Sequence, residues 1–76
     1  MYKSLADIKP GNGAAVIRLE GGGALKRRIM DMGITKGAIL YVRRTAPLGD
    51  PIEITVRGYR LSLRKKDAKN IKVIEI

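Results

Sequence analysis

Asp50 and Glu53 are the closest pair of carboxylates in the Pro- and Gly-rich stretch Ala46-Pro47-Leu48-Gly49-Asp50-Pro51-Ile52-Glu53. Two carboxylates at that spacing offer a weak all-oxygen site for a hard cation. The same residues have a structural use: Asp50 accepts backbone hydrogen bonds inside a turn, and Glu53 stands solvated on a strand. The remaining carboxylates, Asp7, Glu20, Asp31, Asp67 and Glu75, are scattered. With no His and no Cys, the chain lacks an imidazole base, a thiolate nucleophile and any soft metal ligand. Gly21-Gly22-Gly23 invites a phosphate-cradling reading. The Lys-Ser/Thr pair of a P-loop and the spaced glycines of a dinucleotide site are both missing, so the run reads as a strand-to-helix joint. Such chemistry argues against an enzyme and for a protein that works by presenting a surface.

The surface is basic: 16 Lys and Arg against 7 Asp and Glu give a net charge of +9. Such a charge suits an anionic partner (nucleic acid, acidic protein or lipid), and it also serves solubility alone. The positive residues are spread along the chain, in Lys26-Arg27-Arg28, Arg43-Arg44, Arg57 with Arg60, and Arg64-Lys65-Lys66, with no single basic tail. At 76 residues the expectation is one domain with a thin core, burying about 60% of the unfolded chain's surface. Short, charge-interrupted apolar runs predict no membrane-spanning helix, and the absence of an apolar run after Lys3 predicts no signal peptide. A small domain without cysteine is expected to be cytoplasmic.

Short elements must position these residues. Tyr2, Leu5 and Ile8 have helix-like or capping spacing before the Pro10-Gly11 turn. Gly13 to Glu20 reads as a strand whose phase is ambiguous, because both faces carry small apolar residues. Ala24 to Met32 reads as a short helix with Leu25, Ile29 and Met32 on one face, Gly33 as its C-terminal stop and no side-chain cap at its start. Arg27 is within reach of Asp31 at i+4, and Met30 lies off the apolar stripe. Ala38 to Thr45 is a strand with Leu40 and Val42 on one face and Ile39 and Tyr41 on the other, so one face is expected to lie under the helix or a partner. Ile52, Ile54 and Val56 alternate outward from the Pro47–Pro51 turn. Gly58-Tyr59 is the expected hairpin turn, and Leu61 and Leu63 alternate on the way back. A polar one-turn connection at Lys65–Ala68 leads to a last strand, 71–76. Five short strands, one helix and tight turns fit a small closed barrel.

Taken in order, Gly21-Gly22-Gly23-Ala24-Leu25-Lys26-Arg27-Arg28, Met32-Gly33-Ile34-Thr35-Lys36-Gly37, Ala46-Pro47-Leu48-Gly49-Asp50-Pro51 and Arg57-Gly58-Tyr59 resemble the FeoA family, small cytosolic accessory proteins of bacterial ferrous-iron transport. Lys26 departs from the Arg common at that position and keeps the charge. The resemblance implies a mainly β fold, an SH3-like barrel of about five strands with one short helix inserted after the first strand. It also implies a role beside the membrane iron transporter FeoB, whose cytosolic part is a GTP-binding domain, placing the chain at the membrane only through that partner. On this reading no cofactor is needed and no metal is held. The expected contact face is the helix with the neighbouring loop: Leu25, Arg27 and Met30 on the first, Pro47, Leu48, Gly49, Asp50 and Pro51 on the second, and Tyr59 beside them. Leu48, at the loop tip without a strand partner, is the expected apolar anchor.

Two other readings follow from the residues. A basic barrel suits nucleic acid, yet only Tyr2, Tyr41 and Tyr59 are available to stack a base. Barrels similar to FeoA also end iron- and manganese-dependent repressors, but those need a helix-turn-helix region for which this chain has no room.

Overall fold

A computed structural model describes residues 2–76. Six antiparallel strands form one sheet with two helices and a 3-10 turn. The strands are β1 (Lys3–Ser4), β2 (Gly13–Leu19), β3 (Ile39–Thr45), β4 (Ile52–Val56), β5 (Tyr59–Leu63) and β6 (Ile71–Glu75). Helix α1 (Gly23–Asp31) joins β2 to β3, and the single-turn α2 (Lys65–Ala68) joins β5 to β6. The spatial order is β1-β6-β2-β3-β4-β5. That order is linear, so the barrel curls without closing its hydrogen-bond ladder, and β1 and β5 are the edges. The sheet wraps around a core of Leu5, Val16, Ile29, Ile34, Leu40, Val42, Ile54, Val56, Ile71 and Val73, each 3% exposed or less.

The mainly β architecture agrees with the sequence reading, with one more strand than the five expected. The addition is β1, two residues paired to β6 through Lys3↔Val73 and Ser4↔Lys72, so the helix follows the second strand. The Leu5–Asp7 3-10 turn buries Leu5 completely, and the Asp7 carboxylate accepts the Ser4 N–H at 3.2 Å and the Ser4 hydroxyl at 3.1 Å.

A bulge explains the ambiguous phase of β2. Its register with β6 shifts between Val16 and Arg18, so Ala14 and Val16 face inward before the shift and Leu19 pairs with buried Ile71 after it. An extra residue in one strand moves all later side chains to the other face. In β3, Leu40 and Val42 are buried as expected, but α1 does not cover the opposite face: Ile39 and Tyr41 remain 44% and 47% exposed. Tyr41 instead lies over Gly13 on the neighbouring strand, where an added Cβ would come within 2.7 Å of the ring.

The β4–β5 turn sits one residue earlier than expected. Val56 pairs with Tyr59, so Arg57 and Gly58 are the central residues, with φ of +49° and +87°. Positive φ at both positions is the primed turn geometry that matches strand twist. Tyr59 therefore opens β5 and shares the inward phase of Leu61 and Leu63.

Candidate functional site

Helix α1 has one fully buried residue, Ile29, with Leu25 and Met32 half-buried against the same core. This is the predicted apolar face. So short a helix is marginal alone, and its C-terminal end is held in several ways. Gly33 adopts φ +88°, its N–H bonds to the Met30 carbonyl at 2.9 Å, and the Ile34 N–H reaches the Ile29 carbonyl at 3.3 Å. That pattern satisfies carbonyls the helix would otherwise leave open. The β4–β5 turn adds two clasps. The Tyr59 hydroxyl donates to the Met32 carbonyl at 2.7 Å. Arg57 donates through Nε to the Gly33 carbonyl at 3.0 Å and through Nη2 to Thr35 Oγ1 at 2.9 Å. A cation at the C-terminal end of a helix also meets the favourable end of its dipole.

The expected Arg27–Asp31 pair is not among the ion pairs of the described residues. Arg28 is the α1 arginine that pairs, placing Nη2 3.3 Å from Asp67 on α2. Arg28 is largely exposed and Asp67 nearly buried, so the bridge ties the two helices at the protein surface. Arg27 and Asp31 are both exposed on α1, where water competes with an i, i+4 pair worth only a few tenths of a kcal/mol, while Arg28 meets a carboxylate from α2, far away in sequence.

The loop 46–51 is ordered by its own backbone. The Gly49 N–H donates to the Ala46 carbonyl at 2.7 Å and the Ala46 N–H to the Pro51 carbonyl at 3.0 Å. Gly49 takes φ +86°, and the Asp50–Pro51 peptide is cis. Asp50 accepts the Lys65 N–H at 3.0 Å, fastening the loop to the start of α2. Glu53 lies 3.4 Å from Arg44 on the neighbouring strand. Both carboxylates of the possible cation pair are thus engaged with separate partners, and no three acidic, His or Cys groups gather among the described residues. Leu48 projects from the tip, 94% exposed.

The structure places the predicted contact residues on two neighbouring surfaces. Leu25 is half-buried, while Arg27 and Met30 are exposed on α1. Pro47, Leu48, Asp50 and Pro51 line the loop, with Gly49 less exposed. The two surfaces are joined indirectly, α1 to α2 through Arg28–Asp67 and α2 to the loop through Lys65–Asp50. Tyr59 belongs to the other end of β5, beside the end of α1. Arg57, Arg28 and Asp67 escaped the sequence reading. Only the Arg57-Gly58 dipeptide carried a signal, since the inward phase of Val56 and Leu61 leaves room for a two-residue turn there.

Electrostatic contacts elsewhere secure the strand ends. Glu75 accepts from Lys3 Nζ at 3.0 Å and from Asn12 Nδ2 at 2.7 Å, and these bonds, Lys3 first, hold its carboxyl below its ordinary range. Arg18 Nε donates to Glu20 at 2.9 Å and lowers that carboxyl too. Arg18 also sits 4.8 Å from the centre of the Tyr2 ring. No helix of the described residues is long and apolar enough to cross a membrane.

Comparison with known proteins gives a consistent answer. The model of the FeoA domain matches residues 3–75. A Fe(2+) transport protein A/Fe(2+) transporter FeoB fusion protein of Porphyromonas gingivalis is 38% identical over 69 residues, covering 91% of this chain, which spans only 8% of the fusion's length. The NMR structure of a FeoA-like protein from Clostridium acetobutylicum superposes with a TM-score of 0.90 at 41% identity, covering 96% of this chain and 85% of that one. The zinc complex of Stenotrophomonas maltophilia FeoA, described as a prokaryotic SH3 domain protein, superposes at 0.80 with 25% identity over 93% of this chain and 88% of that one. With the family model matched over nearly its whole length, on an SH3-like fold, this chain belongs to the FeoA domain family.

Proposed function

We propose that this protein is a cytoplasmic accessory factor of ferrous-iron uptake, acting by direct contact with the cytosolic GTP-binding part of a FeoB-like transporter. The observation that carries this reading is the relative in which the two are one polypeptide. Covalent linkage raises effective concentration and is useful only where the joined parts act together. The chain comes to the membrane through that partner.

The contact face is α1 with the loop 46–51, and Leu48 is its anchor. An apolar side chain 94% exposed on a loop closed by its own hydrogen bonds meets a partner with little ordering cost. The protein acts on the transporter's conformation or assembly and is neither an enzyme nor an iron carrier. A stable ferrous site usually draws on imidazole, often with a carboxylate, and this chain has no His. Nor does it read bases: three tyrosines are its only aromatic residues, with Tyr2 held by Arg18, Tyr41 against Gly13 and Tyr59 bound to the Met32 carbonyl, a sparse set for stacking on bases.

The test is calorimetric titration of the protein with the isolated cytosolic domain of the transporter. Leu48→Asp, with its fold checked by circular dichroism, should lose the complex. Unchanged affinity in that variant would refute the assignment of the face, and no binding by the unaltered protein would refute the contact mechanism.

A further inference from the structure

The free edge of β5 is the part of the molecule that the reading above leaves unused. β4 and β5 pair without irregularity from Val56↔Tyr59 to Ile52↔Leu63. The residues enclosing a two-residue turn exchange hydrogen bonds, and the pattern then alternates along an antiparallel pair. Tyr59, Leu61 and Leu63 therefore bond to β4, while the N–H and C=O of Arg60 and Ser62 point to the open side. No strand lies on that side, and among the described residues no backbone or side-chain bond outside the ladders reaches those groups.

A groove runs beside this edge. Its walls are Arg28 of α1 and Met32 just past its end, Ser62, Leu63 and Arg64 of β5 and its extension, and Lys66 and Asp67 of α2, the Asp67 carboxylate being paired with Arg28. Tyr59 beside Met32 at one end and the Arg28–Asp67 bridge at the other show that α1 runs antiparallel to β5. The two faces of the edge differ in chemistry. Arg60, Ser62 and Arg64 alternate onto the outward side, and Arg64 keeps extended backbone at φ −70°, ψ 143°. Half-buried Leu61 and Met32 lie on the inward side.

We infer that this edge is an acceptor for an added β-strand, and that the strand it takes is an extended acidic segment in which carboxylate and apolar side chains alternate. Main-chain bonds to Arg60 and Ser62 supply the affinity. The arginines on one side and half-buried Leu61 and Met32 on the other select the sequence, as alternate pockets do in strand addition. Charge disfavours a second copy of this chain as the occupant. Antiparallel self-pairing about Ser62 sets Arg60 of one copy opposite Arg64 of the other, and like charges directly opposite destabilise a pair. The groove borders α1 of the proposed transporter face at Arg28 but uses none of the Leu48 loop, and the added strand need not come from the transporter.

The probe is the capped hexapeptide acetyl-(Glu-Val)3-amide, titrated into the 15N-labelled protein and followed by amide shifts and solvent exchange. Shifts should centre on Tyr59–Arg64, and the Arg60 and Ser62 amides should become protected. Two further peptides carry N-methyl groups on every Glu or on every Val. In a strand only one of these sets faces β5, so one isomer should lose binding by at least about tenfold while the other keeps it. The Lys-for-Glu peptide should not bind. Arg60→Glu should weaken the Glu peptide by about tenfold. Ser62→Pro removes an N–H that β4 does not use and should abolish binding. Should that variant not fold, the two N-methyl isomers decide the question on the unaltered protein. Equal behaviour of both isomers, unprotected Arg60 and Ser62 amides, or shifts centred on the outer face at Ile39 and Tyr41 would overturn the inference.

Discussion

Gly33→Ala is the substitution whose cost the structure resolves into parts. At φ +88° an L-residue is held in the left-handed region, at about 1–2 kcal/mol. Alanine recovers about 0.4–1 kcal/mol of this by restricting the unfolded chain. The new Cβ would also stand 2.6 Å from the Tyr59 hydroxyl. The tyrosine tip can swing away, but only by giving up its bond to the Met32 carbonyl, worth about 0.5–1.5 kcal/mol. The sum centres near about 2 kcal/mol, a sizeable part of the roughly 4–11 kcal/mol available to a domain of this length. Tyr59→Phe alone forfeits the hydrogen bond and costs about 1 kcal/mol. Gly33→Ala has already broken that bond, so Tyr59→Phe should add almost nothing in its background. Urea unfolding followed by far-ultraviolet circular dichroism measures all three variants, with slopes of about 1 kcal/mol/M expected. The double variant should match Gly33→Ala, a coupling of about 1 kcal/mol. Additive costs would refute the reasoning and show that the clasp survives the new methyl.

Leu48→Asp should leave the unfolding free energy within about 0.5 kcal/mol of the parent while abolishing partner binding; a large loss of stability would mean that the side chain packs. Gly13→Val, which drives a side chain into the Tyr41 ring, should cost about 1–3 kcal/mol by overpacking, read in the same urea assay. Glu20 and Glu75 have folded-state values below their ordinary 4.5. Their stabilisation is therefore present above that pH and lost as pH falls through the folded values. Acid titration of the unfolding midpoint should show the loss, and Glu75→Gln should flatten it. Anaerobic titration with a ferrous salt should give no stoichiometric site at micromolar affinity or tighter; one lost in Asp50→Asn would make this chain an iron binder.

Strand β4 was legible because Ile52, Ile54 and Val56 keep a period of two, β3 from its continuous apolar run Ile39–Val42, and α1 from Leu25, Ile29 and Met32. What escaped has local causes. Lys3–Ser4 is too short to show any period, and its partner on β6 lies at the far end of the sequence. The β2 phase was hidden by a bulge that the residue types around Ile17 do not announce. The turn was displaced by one because Gly58 was placed first in it, whereas here Arg57 also takes a positive φ. For the proposed site, the loop's composition revealed its order and its exposed Leu48. The links that gather loop, α2 and α1, Lys65–Asp50 and Arg28–Asp67, join residues distant in sequence, where spacing carries no information.

The place of β6 between β1 and β2 has a kinetic consequence. The β3–β4–β5 meander pairs neighbours in sequence and closes short loops, so it can form early. The first strands to be made cannot complete their pairing until residues 71–75 arrive, because those residues supply the partner of both β1 and β2. β2 can join the meander through β3, so the pairings of β6 with β1 and β2, which close the longest loops, are the late step of folding.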